Sequence, residues 1–130
     1  MTPVLMPDDL QNSYEVSLAG PIIRDKLWFF VADAENNFPG ASILADGSPY
    51  DVSVLLASTV AKLDFRPSAN HTLTATYLES PFLNPGNNVR GADLATTWLA
   101  DWGGEFVSLS WDWAISDSLF LESKVAAQNT

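Results

Sequence analysis

With 130 residues, 47% of them hydrophobic, the chain suffices for one ordinary domain and is too apolar to be wholly disordered. Its formal charge of −10, from 16 acidic against 6 basic residues, excludes the clustered Lys and Arg that a nucleic-acid partner demands. The lack of cysteine excludes a disulfide framework and any thiolate metal site.

No run approaches the roughly 18 to 20 apolar residues of a spanning helix, so any membrane role must be through strands or surface contact. Residues 1–11, with Pro3, Pro7 and Asp8-Asp9, are aperiodic and lack the basic-then-apolar signature of a signal peptide. They are predicted to be an irregular lead-in. Residues 12–19 alternate, Tyr14, Val16 and Leu18 against Glu15, Ser17 and Ala19, which predicts a half-buried strand. Gly20 and Pro21 break it, Arg24-Asp25-Lys26 needs water, and residues 27–36 return as a second strand beginning Leu27-Trp28-Phe29-Phe30. Residues 37–55, with Pro39, Gly40, Gly47 and Pro49, carry loop chemistry.

From residue 56 the alternation resumes, Ala61, Leu63 and Phe65 against Lys62, Asp64 and Arg66. Pro67-Ser68-Ala69-Asn70 predicts a tight turn with Pro67 at its second position. Residues 71–79 then show the cleanest period of two, Leu73, Ala75 and Tyr77 against Thr72, Thr74 and Thr76. A second long loop is predicted over residues 80–104. The last hairpin, residues 105–129, sets Val107, Leu109, Trp111 and Trp113 against Ser108, Ser110 and Asp112, and turns at Ser116-Asp117.

The prediction is therefore an all-β, antiparallel up-and-down meander of about six long strands, in hairpins over residues 12–36, 56–79 and 105–129. Strands of about 9 to 11 residues exceed the 5 to 6 usual in soluble sheets. The short turns fall at one end and the long loops at the other, with Trp28, Phe29, Phe30, Phe65, Trp111 and Trp113 gathered beside the short turns. Strands of roughly 10 residues, an outward apolar band and aromatic girdles are the physical requirements of a transmembrane β-barrel. Lys62, Asp64, Thr72, Thr74, Thr76, Ser108, Ser110, Asp112, Glu122 and Lys124 then line a polar interior. In the alternative, a small soluble β-sandwich or lipocalin-like binding module, the same ten residues form the solvated outer face and the aromatics form the core.

The segment Ala19-Gly20-Pro21-Ile22-Ile23-Arg24-Asp25-Lys26-Leu27-Trp28-Phe29-Phe30 resembles one that recurs early in the barrel of TonB-dependent receptors, with Ala19 where glycine is usual. The likeness is closest to the Oar-like group, which carries an N-terminal carboxypeptidase-regulatory-like domain. Lys62-Leu63-Asp64-Phe65-Arg66-Pro67-Ser68-Ala69-Asn70-His71-Thr72-Leu73 resembles the next hairpin of the same family, and the likeness covers about residues 15–125. It implies a plugged barrel of about 22 strands in the cell outer membrane. Such a barrel imports a scarce ligand and is energised through a TonB-type partner. The 130 residues contain no plug or TonB-contacting box and stop at Thr130 as though cut. The expectation is a fragment of the barrel, not transport-competent alone, whose partners are outer-membrane lipid, the missing plug and strands, and the TonB-type protein through the absent N-terminal part.

No enzymatic activity, cofactor or metal is expected. His71, the single histidine, sits beside a turn, and Asp8, Asp9, Asp46 and Asp51 lack the spacing of a calcium loop and are read as solvated acids. Asn70-His71-Thr72 fits an N-x-T pattern by chance, and no G-x-S-x-G elbow occurs. Ligand contact is assigned to the second long loop, through Asn87, Asn88, Arg90, Trp98 and Trp102, because amides and aromatics on an outer loop suit recognition.

Overall fold

The structure, a computed structural model, describes residues 12–84 and 93–129. The lead-in and the segment holding Asn87, Asn88 and Arg90 lie outside the described residues. The elements in chain order are β1 (Asn12–Ile23), β2 (Leu27–Phe38), β3 (Ala41–Ile43), β4 (Pro49–Asp51), β5 (Val54–Ser68), β6 (His71–Glu79), β7 (Phe82–Asn84), a 3-10 turn (Leu94–Thr96), β8 (Ala100–Trp102), β9 (Glu105–Ser116) and β10 (Leu119–Asn129). No α-helix occurs among the described residues.

The chain divides into two compact units, one of residues 15–34, 58–80 and 104–130, the other of the connecting segments. The first holds the long strands, an antiparallel meander in the order β1-β2-β5-β6-β9-β10. Its end strands β1 and β10 do not pair, so the sheet is not closed into a barrel. Registry sorts its side chains. Asp64 lies opposite Thr74 and Lys62 opposite Thr76 across β5 and β6. Thr72, Thr74 and Thr76 lie opposite Asp112, Ser110 and Ser108 across β6 and β9. Asp112 and Ser110 in turn face Glu122 and Lys124 on β10. Directly opposed residues share a face, so all ten predicted polar positions stand on one side of the sheet. The other side carries Leu63, Phe65, Leu73, Ala75, Val107, Leu109, Trp111, Trp113, Leu121 and Val125.

The turns depart from the sequence reading in register. Gly20 and Pro21 do not end β1, which continues to Ile23. An edge strand tolerates proline because its outer side owes no ladder donor. The turn is Arg24-Asp25-Lys26, closed by the Lys26 N–H on the Ile23 carbonyl at 3.0 Å, with Asp25 at φ 63° in the left-handed region that Asp enters more readily than most residues. Pro67 is not a turn residue. It lies within β5 where registry slips between Phe65 and Ser68, and the turn is Ala69-Asn70 between the paired Ser68 and His71. A bulge accepts a residue without an N–H, which a ladder position does not. The third hairpin repeats this design, with Asp117-Ser118 as the turn, Ser116 paired to Leu119 and a register shift beside them. The Ser116 hydroxyl accepts the Ser118 N–H at 3.4 Å.

The connecting unit is not bare loop. β3 and β4 pair antiparallel, as do β7 and β8, and β7 also pairs with the start of β5 through Leu83–Leu55 and Phe82–Leu56. In the β3–β4 ribbon the Asp46 carboxylate accepts both the backbone N–H and the hydroxyl of Ser48, at 2.9 and 2.6 Å, and Asp51 does the same for Ser53 at 2.8 and 2.6 Å. These turns need only residues two apart, which is why short segments rich in Asp, Ser and Gly form them.

Candidate functional site

The large side chains on the apolar face of the sheet are not covered. Val16, Leu18, Leu63, Phe65, Leu109, Trp111, Leu121 and Val125 are all exposed. Soluble monomers rarely expose a contiguous apolar patch of more than a few hundred Å².

At its turn end the face carries an aromatic group. His71 lies opposite Trp113, and its ring stacks on Trp113 at 5.3 Å and on Trp111 at 5.8 Å, while the two indoles stack at 5.8 Å and 9°. The Trp111 indole N–H donates to His71 Nδ1 at 3.1 Å. The histidine beside the turn is thus a member of the aromatic cluster, and only the β6–β9 register reveals it.

The six aromatics gathered by sequence do not form one belt. The Thr59 hydroxyl donates to Asp33 at 2.7 Å, which puts Asp33, and by alternation Phe29, on the face of Leu63 and Phe65. A Cβ at Gly20 would stand 3.5 Å from the Phe29 ring, placing Val16 and Leu18 on that face too. Trp28 and Phe30 therefore lie on the polar face, where the Arg66 guanidinium sits 5.5 Å from the Trp28 ring. Three consecutive aromatics on one strand cannot all point one way. Phe29, Phe65, Trp111 and Trp113 share the apolar face; Trp28 and Phe30 do not.

On the polar face Lys62 pairs with Asp64 at 3.2 Å, and the Thr74 hydroxyl donates to the same carboxylate at 2.7 Å. Lys124 does not pair with Glu122; its ammonium lies 5.9 Å from the Phe106 ring. On the opposite face, that of Leu73, Ala75 and Val107, Glu79 and Glu105 stand directly opposite near the other strand ends, with the Tyr77 hydroxyl 3.0 Å from one carboxylate and 3.3 Å from the other. One hydroxyl proton between two like charges eases a pairing that is otherwise unfavourable. No sequence pattern announces it, because Glu79 and Glu105 are brought together by pairing alone.

In the connecting unit, Trp98 and Trp102 are exposed, and Trp102 lies opposite Phe82 on the β7–β8 ribbon with rings 5.5 Å apart. Phe82 meets Trp102, as Glu79 meets Glu105, through strand pairing alone. Trp98 has no ring stacked on it among the described residues. Among those residues no group of three or more His, Asp or Glu is placed to hold a metal ion, and no helix is long and apolar enough to cross a membrane, which says nothing about crossing by strands. Asp46 and Asp51 are held below the usual carboxylate range by their serine hydrogen bonds, first the hydroxyl and then the backbone N–H. No known protein family, curated protein or solved structure matches the chain.

Proposed function

We propose that this chain supplies six strands of an outer-membrane TonB-dependent receptor barrel, and so takes part in importing a scarce ligand rather than in catalysis. The observation that carries the membrane half of this reading is the sorting of faces in a single-layer sheet: ten polar positions on one side, exposed Leu, Val, Phe and Trp on the other. Five of the six long strands have 9 to 12 residues and β5 has 15. At about 3.3 Å per residue and a tilt near 40°, 9 to 12 residues rise about 23 to 30 Å, which suits an apolar band about 25 Å tall. Lipid covers the apolar face, and the polar face lines the interior, where Lys62, Asp64 and the threonine rows meet water or plug.

The receptor half rests on the two motif resemblances, at residues 19–30 and 62–73. Phe29, Phe65, Trp111 and Trp113 anchor the apolar face at the interface beside the short turns, as amphipathic rings do in strand-crossing proteins. Ligand recognition belongs to the second long connection, through Asn87, Asn88, Arg90, Trp98 and Trp102, with Phe82 backing Trp102. The gene product that contains this chain should fractionate with the outer membrane and show heat-modifiable gel migration. A product that remains soluble and monomeric, with cooperative unfolding, would sink the reading in favour of a soluble sandwich or lipocalin-like module.

A further inference from the structure

One corner of the polar face, on β2 and β5 beside the first turn, combines exposed cations with aromatic rings. The Arg66 N–H donates to the Lys26 carbonyl at 2.7 Å, which sets these residues opposite each other, and the hydrogen bond from Thr59 to Asp33 keeps the same register farther along the strands. Trp28 then stands opposite Asp64, and Phe30 opposite Lys62. Three rows result, Lys26 with Arg66, Trp28 with Asp64 and Phe30 with Lys62. Trp28, Phe30, Asp64 and Arg66 are among the residues that line one shallow, open dish.

Charge is unevenly matched across these rows. The Asp64 carboxylate is taken by the Lys62 ammonium at 3.2 Å and by the Thr74 hydroxyl at 2.7 Å. Among the described residues Lys26 and Arg66 pair with no carboxylate, and both are exposed. Two of the 6 basic residues thus stand together without an acid in a chain of net charge −10. The next strand, β6, presents threonines here, and Asp112 and Glu122 lie beyond it on β9 and β10. The Arg66 guanidinium sits 5.5 Å from the Trp28 ring, and Phe30 is exposed. Whatever covers the apolar face does not reach these two rings.

The complement of such a corner is an anion with apolar groups beside it. Residues two apart on a strand repeat about every 6.8 Å, so the cation row and the Phe30 row stand about 14 Å apart. A small aryl carboxylate is too short to reach both, and an open dish does not enclose it as small-molecule sites enclose their ligands. An extended peptide covers the distance in four residues, with side chains i, i+2 and i+4 on one side.

We propose that this corner docks an extended acidic peptide segment of a partner protein, its carboxylate between Lys26 and Arg66 and its next two same-side residues, both apolar, on Trp28 and Phe30. The site lies on the face opposite the one assigned to lipid and depends on neither the lipid nor the receptor assignment.

The probe is an acetylated and amidated Glu-Ser-Leu-Ser-Leu peptide, titrated against the 130-residue chain in zwitterionic detergent micelles and followed by saturation-transfer NMR. K26E and R66E should each weaken binding about tenfold, as for loss of a charge-assisted contact, and W28A about fivefold. R66K, which keeps the charge, should stay within about threefold, and K124E, a reversal elsewhere on the same face, should bind like the parent chain. The Gln-Ser-Leu-Ser-Leu peptide should bind about tenfold more weakly than the Glu peptide. No binding by the parent chain, equal binding of the Gln peptide, or K124E as damaging as R66E overturns the proposal. Phenylacetate binding as tightly as the Glu peptide overturns it in favour of a small-anion site.

Discussion

In the connecting unit the most buried side chains are apolar, Leu44 at 7% and Ala100 at 1% exposed, whereas in the six-stranded sheet the most buried is a serine, Ser108 at 6%. Val16, Leu18 and Val125 in that sheet stand 61%, 62% and 66% exposed. The connections bury those two apolar residues but leave Ile43, Leu94, Trp98, Leu99 and Trp102 exposed, and their backbone is held by local N–H groups donating to Asp46, Asp51 and Asp93. In the sheet the exposed apolar residues share one face, and its stability as a single layer must come from ladder hydrogen bonds and from whatever covers that face.

Charge substitution on the two faces is the strongest way to break this comparison. Leu109→Arg places a cation mid-face between Ala75 and Val125 and should cost about 2–4 kcal/mol when the sheet is in lipid, whereas Thr74→Arg on the opposite face should cost under about 1 kcal/mol. Equilibrium unfolding from vesicles in urea measures both; equal penalties would remove the distinction between faces.

Backbone changes sharpen it next. Asp25→Ala keeps a Cβ in a left-handed region that Ala enters less readily than Asp and should destabilise by about 1 kcal/mol, while Asp25→Gly should be neutral or stabilising by up to about 1 kcal/mol. In the connections, a Cβ at Gly40 would stand 3.0 Å from Val52 Cγ2 and 3.2 Å from the Val52 carbonyl oxygen. Gly40→Ala should therefore disturb the β3–β4 ribbon by about 1 kcal/mol, read as faster amide exchange at Val52, whose N–H bonds to the Gly40 carbonyl at 2.9 Å. Gly20→Ala meets Phe29 at ordinary contact distance and should lie within about 0.5 kcal/mol of the parent chain.

The smallest expected effect is that of acid on the ribbon. The folded-state pKa values of Asp46 and Asp51 are depressed below the ordinary 3.8, so their contribution is present above that value and is lost as pH falls through the lower folded values. Amide exchange at Ser48 and Ser53, compared with the intrinsic rate at each pH, should stay protected down to about pH 3.8 and lose protection below it. Loss of protection already at pH 5 would contradict this.

Alternation along each strand is a local property, so the sequence by itself determined the six long strands, the polar set from Lys62 to Lys124 and the apolar set facing away from it. It also marked where turns occur, but not their register. The bulge that takes up Pro67, the passage of β1 through Gly20-Pro21 and the exact turn pairs depend on which residue of the neighbouring strand stands opposite. Only tertiary pairing decided that His71 joins Trp111 and Trp113, that Glu79 meets Glu105, and that Phe82 backs Trp102. The division of Trp28 and Phe30 from Phe29 was decided by both, since alternation separates them and the neighbouring strand says which side is which. The physical reason is that the period of a strand is written in consecutive residues, whereas register is a choice between alternatives two residues apart, made by turns, bulges and cross-strand partners distant in the chain.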